Sequence, residues 1–126
     1  MSRIEDRLAE DERRGDLGTA RRRLASLAAT RGYDPAVIER VARLSVRMGD
    51  WYEAGRWYAI VDSTDAEAPL AIERFQAAAG GPEVAAWRIP LAEKVRNRAD
   101  LPLAVRDRLG KRLESPVTLP DRARTP

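Results

Sequence analysis

Apolar residues recur along the chain at the three- and four-residue spacing of amphipathic helices, and short turn-forming groups separate the runs. One run contains Ile38, Val41, Leu44 and Met48, and an earlier run contains Ala20, Leu24 and Leu27. Between runs stand Gly15-Asp16 and Gly49-Asp50, where glycine can end one helix and aspartate can cap the next. This pattern predicts helices near residues 2–14, 17–31, 35–48 and 51–63.

The turn residues repeat with a period of 34. Gly15-Asp16 recurs as Gly49-Asp50, and Ala20 recurs as Ala54. A period of 34 residues is that of the tetratricopeptide repeat (TPR), a pair of packed helices. Residues 1–34 and 35–68 therefore resemble two degenerate TPR units, with polar Asp11 and Ser45 where that repeat usually carries an aromatic. The resemblance implies a right-handed array of antiparallel helices.

The second half continues as helices that depart from the repeat. We expect helices over residues 65–79, 82–89, 90–98 and 100–114, with Gly80-Gly81-Pro82 and Pro90 as the breaks. The caps should include capping boxes at Asp50 with Glu53 and at Thr64 with Glu67. The prediction is one all-α domain of six or seven helices over residues 1–114, followed by a proline-rich flexible tail over 115–126.

A second resemblance rests on residues 54–58, the run Ala-Gly-Arg-Trp-Tyr that follows the Gly49-Asp50 turn. This "GD…AGRW" combination is similar to that of a small bacterial domain family of unknown function. The resemblance covers residues 17–110 and implies a fold without implying an activity.

Composition removes several kinds of chemistry. The 126 residues contain no cysteine and no histidine, so disulfides, thiol nucleophiles and imidazole bases or ligands are excluded. No phosphate-binding, EF-hand or nucleophile-elbow motif is present. We therefore predict a protein that is not an enzyme and has no cofactor or metal. The charged N-terminal residues and the lack of a long apolar run predict a cytoplasmic protein without membrane contact.

Charge is spread evenly: 23 basic and 20 acidic residues give a net charge of +3, which argues against a nucleic-acid footprint. The best candidate binding residues are Arg40, Arg43 and Arg47, at i, i+3 and i+7 of one helix, with Trp51 and Trp57 as apolar anchors. In a TPR array this helix lines the concave face, and guanidinium groups suit carboxylates. The alternative is a solvated face in which Arg43 pairs with Glu39 and Arg40 with acids of the first helix. Both tryptophans can equally belong to the core.

These observations favour a non-catalytic protein-interaction module, an adaptor, regulator or accessory subunit that binds an acidic or C-terminal peptide. The alternative function is an immunity- or inhibitor-type protein that blocks one partner enzyme. The sequence does not identify the partner or the oligomeric state.

Overall fold

The computed structural model describes residues 3–90, and within them the chain is all-α with no strand. Five helices have eight or more residues: α1 (Arg3–Arg13), α2 (Leu17–Thr30), α3 (Pro35–Arg47), α4 (Trp51–Tyr58) and α5 (Ala68–Ala79). A four-residue helix, α6, spans Pro82–Ala85. The all-α prediction is confirmed, but the prediction of six or seven helices is not supported. The helices expected over 90–98 and 100–114, and the tail from 115, lie outside the described residues.

The first three helices begin and end within about a residue of their predicted bounds, whereas α4 and α5 do not. Helix α4 ends at Tyr58 instead of residue 63, and α5 begins at Ala68 instead of residue 65. The predicted Thr64 and Glu67 capping box is wrong, because Glu67 is itself the N-cap residue and makes no side-chain capping bond. The connection between these helices is instead fixed by Asp65, which is bound by side chains of α3 and α4.

The two Gly-Asp turns have the same local geometry. Gly15 and Gly49 adopt φ angles of 72° and 76°, the left-handed conformation that ends a helix. The next residue then caps the following helix: Asp16 Oδ1 accepts from the Thr19 N–H at 3.2 Å, and Asp50 Oδ1 accepts from Glu53 N–H at 3.1 Å. The 34-residue period of the sequence is therefore a period of the turns as well.

Each helix packs against the next one along the chain. Ala20 and Ala54, which the repeat places at equivalent positions, are both fully buried, as expected. Asp11 and Ser45 are also buried. Arg23 Nε lies 2.7 Å from Asp11 Oδ2, and the Ser45 hydroxyl donates to the Val41 carbonyl at 2.9 Å, so both polar groups have partners. In the part of the chain that the structure describes, no helix is long and apolar enough to cross a membrane.

Gly55 sets the distance between α4 and α5. A Cβ atom added there would lie 2.2 Å from the Ala71 carbonyl oxygen and 2.4 Å from Phe75 Cβ. Both contacts are far inside van der Waals range, and both involve atoms that a rotamer change cannot move away. Phe75 is fully buried at this contact. A residue that is unfavourable within a helix is therefore required by the packing of two helices.

Substitution of Gly55 by alanine should destabilise the fold. The added methyl group must push α5 away from α4, and overpacking of this kind costs roughly 1–3 kcal/mol or more. The matched control is Gly18→Ala, in a helix where an added Cβ meets nothing within 4 Å. That change should stabilise the protein slightly, by about 0.5 kcal/mol or less, because alanine is the better helix former but Gly18 lies in the first turn of α2. Thermal unfolding of both variants measures the difference, and a Gly55→Ala melting temperature equal to that of the wild type would contradict the close approach.

An arginine groove beside α3

The three candidate arginines of α3 lie on one groove, as their spacing predicts. Helix α3 turns Ile38 and Val41 into the core, which leaves Arg40, Arg43 and Arg47 on its outer side. The groove has a volume of about 230 Å³ and is lined by Glu12 of α1, Leu24 of α2, and Arg40, Arg43, Leu44 and Arg47 of α3. We call it the arginine groove. Its floor is apolar and its rim is charged.

Arg40 is paired with helix α1. Its Nη1 atom donates to both carboxylate oxygens of Glu5, at 3.0 and 3.2 Å. This is the pairing that the sequence offered as the alternative to a free binding residue. The Nε and Nη2 atoms of Arg40 have no hydrogen-bond partner among residues 3–90, so this side chain keeps unused donors.

Arg43 is bound by two carboxylates. Its Nε and Nη2 atoms donate to the two oxygens of Asp65 at 2.7 and 2.9 Å, the two-pronged geometry that suits guanidinium and carboxylate. The same Nη2 atom donates to Glu39 Oε2 at 2.9 Å, the i, i+4 pair that the sequence suggested. One cation between two anions gives this cluster a local charge of −1.

Asp65 is the centre of a polar network that extends beyond Arg43. The Tyr58 hydroxyl lies 2.7 Å from Asp65 Oδ2 and 3.0 Å from Glu67 Oε1, and it can donate its one proton to one of them at a time. The Ser63 hydroxyl accepts from Asp65 N–H at 3.1 Å and donates to Glu39 at 3.0 Å. The network ties the chain between α4 and α5 to α3.

The network shifts the titration of its members. The hydrogen bond from Arg43 keeps the pKa of the Asp65 carboxyl below its usual range. Burial, followed by the hydrogen bond to Asp65, raises the pKa of the Tyr58 hydroxyl well above its usual value. Asp65 is therefore an anion, and Tyr58 a neutral donor, throughout the physiological pH range.

Arg47 is exposed, as is Arg43, but it makes no ion pair with any residue in the described range 3–90. Glu12, also exposed, lines the same groove without bonding to it. The groove and its immediate partners together hold three cations and four carboxylates: Arg40, Arg43 and Arg47 against Glu5, Glu12, Glu39 and Asp65. Among the described residues the site therefore carries a net charge of −1, and the strongly basic surface that the arginines suggested is not found there.

The two candidate tryptophans do not line the arginine groove. Trp57 is only 6% exposed, and its Nε1 atom donates to Glu53 at 3.2 Å, so it belongs to the core. Trp51 is half-buried, with the guanidinium carbon of Arg74 lying 4.7 Å from its ring centroid, a cation–π contact between α4 and α5. The aromatic anchors expected beside the arginines are therefore packing residues of α4.

Within residues 3–90 no three carboxylates converge as a group that could hold a metal ion. The chemistry that the arginine groove offers is hydrogen-bond donation from guanidinium groups beside an apolar floor.

One protein-family profile matches residues 1–116, and its description is a family of unknown function, DUF6584. The matched range includes both Gly-Asp turns and residues 54–58, on which the expected membership of a family of unknown function rested. No curated protein and no solved structure matches the chain.

The Asp65 carboxylate should make a measurable contribution to acid stability. Because its pKa is lower in the folded protein than in the unfolded chain, its stabilising effect is present above the unfolded pKa of about 4 and is lost as the pH falls through the folded pKa. Asp65→Asn should therefore be less stable than the wild type near neutral pH, and its stability should fall less steeply below about pH 4. Urea unfolding of both proteins from pH 7 to pH 2.5 measures this. If the free energy of unfolding of the two proteins depended on pH in the same way, Arg43 would not lower the pKa of Asp65.

Proposed function

We propose that this chain, which belongs to the DUF6584 family of unknown function, is a non-catalytic protein-binding module that takes a segment of its partner in the arginine groove. The observation that carries the proposal is Arg47. It is an exposed guanidinium without an ion pair in the described part of the chain, and it shares a groove with the apolar side chains of Leu24 and Leu44. A cation beside an apolar floor suits a partner carboxylate next to an aliphatic side chain.

The arginine N–H groups that have no acceptor within residues 3–90 support this function. An arginine has five N–H donors. Among residues 3–90, Arg40 leaves Nε and Nη2 unused and Arg43 leaves Nη1 unused. A partner carboxylate can therefore bind to the groove without breaking the internal ion pairs. Breaking them would leave partly buried acids such as Asp65 without a counter-charge.

The net charge of −1 at the groove limits the kind of partner that it can bind. Because four carboxylates offset the three arginines, the groove has no strong field to collect polyanions. Recognition then depends on one well-placed carboxylate, either an acidic side chain or a chain end, with an apolar neighbour. A single acidic or C-terminal peptide fits this description better than a long acidic tract.

The proposal includes a TPR-like arrangement of the helices, which the 34-residue repeat supports. The Gly-Asp turns have matching caps 34 residues apart, as two consecutive helix pairs of such an array require. In that arrangement α3 is the first helix of the second pair and lines the concave side, where TPR proteins receive peptides.

Reversal of the charge of Arg47 should abolish partner capture. The chain, tagged and used to capture proteins from a lysate of its native host, should enrich a partner that mass spectrometry identifies. Arg47→Glu should lose that partner, since it places a fifth carboxylate in the groove. Affinity for the identified partner should fall at least about tenfold, the scale of an interfacial charge pair that is lost.

The matched control is Arg7→Glu, which makes the same charge change at an exposed residue of α1 outside the groove. It should retain the partner, and both variants should melt within a few degrees of the wild type, because surface changes usually stay within about 0.5 kcal/mol. If Arg47→Glu captured the partner as well as the wild type does, the arginine groove would not be the binding site. Addition of the chain to the purified partner then separates an adaptor, which leaves the partner's activity unchanged, from an inhibitor, which suppresses it.

A further inference from the structure

Two opposite charges of the arginine groove have no ion-pair partner among residues 3–90. Arg47 belongs to α3 and Glu12 to α1, both side chains are exposed, and no ion pair joins them to each other or to another described residue. The other two arginines of the groove, Arg40 and Arg43, already bind carboxylates of this chain. The groove therefore presents one cation and one anion without internal partners, on two different helices.

The 34-residue repeat explains why Arg47 has no partner within its own helix. The corresponding residue of the first helix pair is Arg13, which forms an ion pair with Glu10, three residues earlier. In α3 the position that corresponds to Glu10 is occupied by Leu44. An apolar residue that lines the groove thus replaces the carboxylate that would hold the guanidinium along the helix. Arg47 is therefore left to a carboxylate from outside α3.

Glu12 lacks a partner for a related reason. The two arginines that follow it in α1, Arg13 and Arg14, both bind Glu10. A partner carboxylate that enters the groove comes close to Glu12 as well as to Arg47, because both line the same space of about 230 Å³. Like charges repel there, and a basic side chain of the partner beside Glu12 would remove that cost.

A segment that carries both charges also fits the charge and the dimensions of the groove. A purely acidic ligand would add to the net charge of −1, whereas an acid together with a base leaves that charge unchanged. Packed helices lie about 8–10 Å apart, and the 3.0 Å ion pair of Glu5 with Arg40 shows that α1 and α3 approach each other. Side chains two residues apart on an extended segment point to the same side, about 7 Å apart. An acid and a base at that spacing can reach both walls.

We infer that the arginine groove selects a short partner segment that carries an acidic and a basic side chain about two residues apart, next to an aliphatic residue. The acid binds Arg47, the base binds Glu12, and the aliphatic side chain packs over Leu24 and Leu44. This inference rests on the proposed function, and it assigns to Glu12 the role of a specificity-determining residue. It excludes the purely acidic peptides that the arginines alone would favour.

The test is the selection of peptides from a random display library on the immobilised full chain and on two charge-reversal variants. Sequences selected by the wild type should contain an acid with a lysine or arginine about two residues away. Glu12→Arg should replace the preference for that base with a preference for a second acid, and Arg47→Glu should remove the preference for the first acid. The matched control is Asp6→Arg, which reverses an exposed charge of α1 outside the groove and should select the same sequences as the wild type. Melting curves verify that each variant is folded.

A synthetic peptide of the selected sequence is then compared with the same peptide in which glutamate replaces the base. The wild type should bind the first peptide at least about tenfold more tightly, and Glu12→Arg should reverse the order. Selection of acidic peptides without a base, lost in Arg47→Glu, would overturn this inference and leave the arginine groove as the binding site. A preference for the base that Glu12→Arg retains would also overturn it. If Arg47→Glu lost none of the peptides that the wild type selects, the proposed function itself would fail, and this inference with it.

Discussion

The bond between Arg43 and Asp65 connects three parts of the fold. Arg43 belongs to α3, Asp65 belongs to the connection that follows α4, and the Tyr58 hydroxyl at the end of α4 reaches the same carboxylate oxygen. Because a partly buried carboxylate needs a counter-charge and donors, these contacts hold the connection between α4 and α5 against α3. The same contacts occupy Nε and Nη2 of Arg43, so only its Nη1 is without a hydrogen-bond partner among residues 3–90.

Helix bounds, turns and shared faces could be predicted from sequence because they depend on local chemistry. Apolar spacing placed α1 to α3, and the Gly-Asp pairs gave both turns and both aspartate caps. The grouping of Arg40 with Arg43 and Arg47 follows from helical geometry alone. The charge balance of the site could not be predicted, because Asp65 is 22 residues from Arg43 and no periodic pattern relates the two positions. The early end of α4 at Tyr58 was likewise not predicted, because the apolar pattern continues past it to Ile60 and Val61.

The helix pair α1–α2 and the helix pair α3–α4 have turns of the same geometry but differ in which helices pack on them. Helix α5 packs on α4 of the second pair, where Gly55 allows a close approach, and Arg56 of α4 donates to the Arg88 carbonyl that follows α6. Within residues 3–90, α1 and α2 of the first pair make no comparable contact with α5 or α6. The two helix pairs therefore differ, within the described residues, in which later helix packs on them. The aromatic residues follow this asymmetry, since Trp51 and Tyr52 contact α5 through Arg74 and Phe75.

The packing of each helix against its neighbour in the chain has a consequence for how the molecule opens. In such a quasi-one-dimensional arrangement, stability is a sum of terms between adjacent units, so an end unit can detach while the others stay folded. Helix α1 has one sequential neighbour, α2, and is joined to α3 chiefly through the half-exposed pair of Glu5 and Arg40. Amide hydrogens of α1 should therefore exchange with solvent through fraying, well before those of α4 and α5, which exchange only when the whole domain unfolds. Because Glu12 belongs to α1, the arginine groove loses a wall in that partly open state, so any binding to the complete groove would favour the closed N-terminal end.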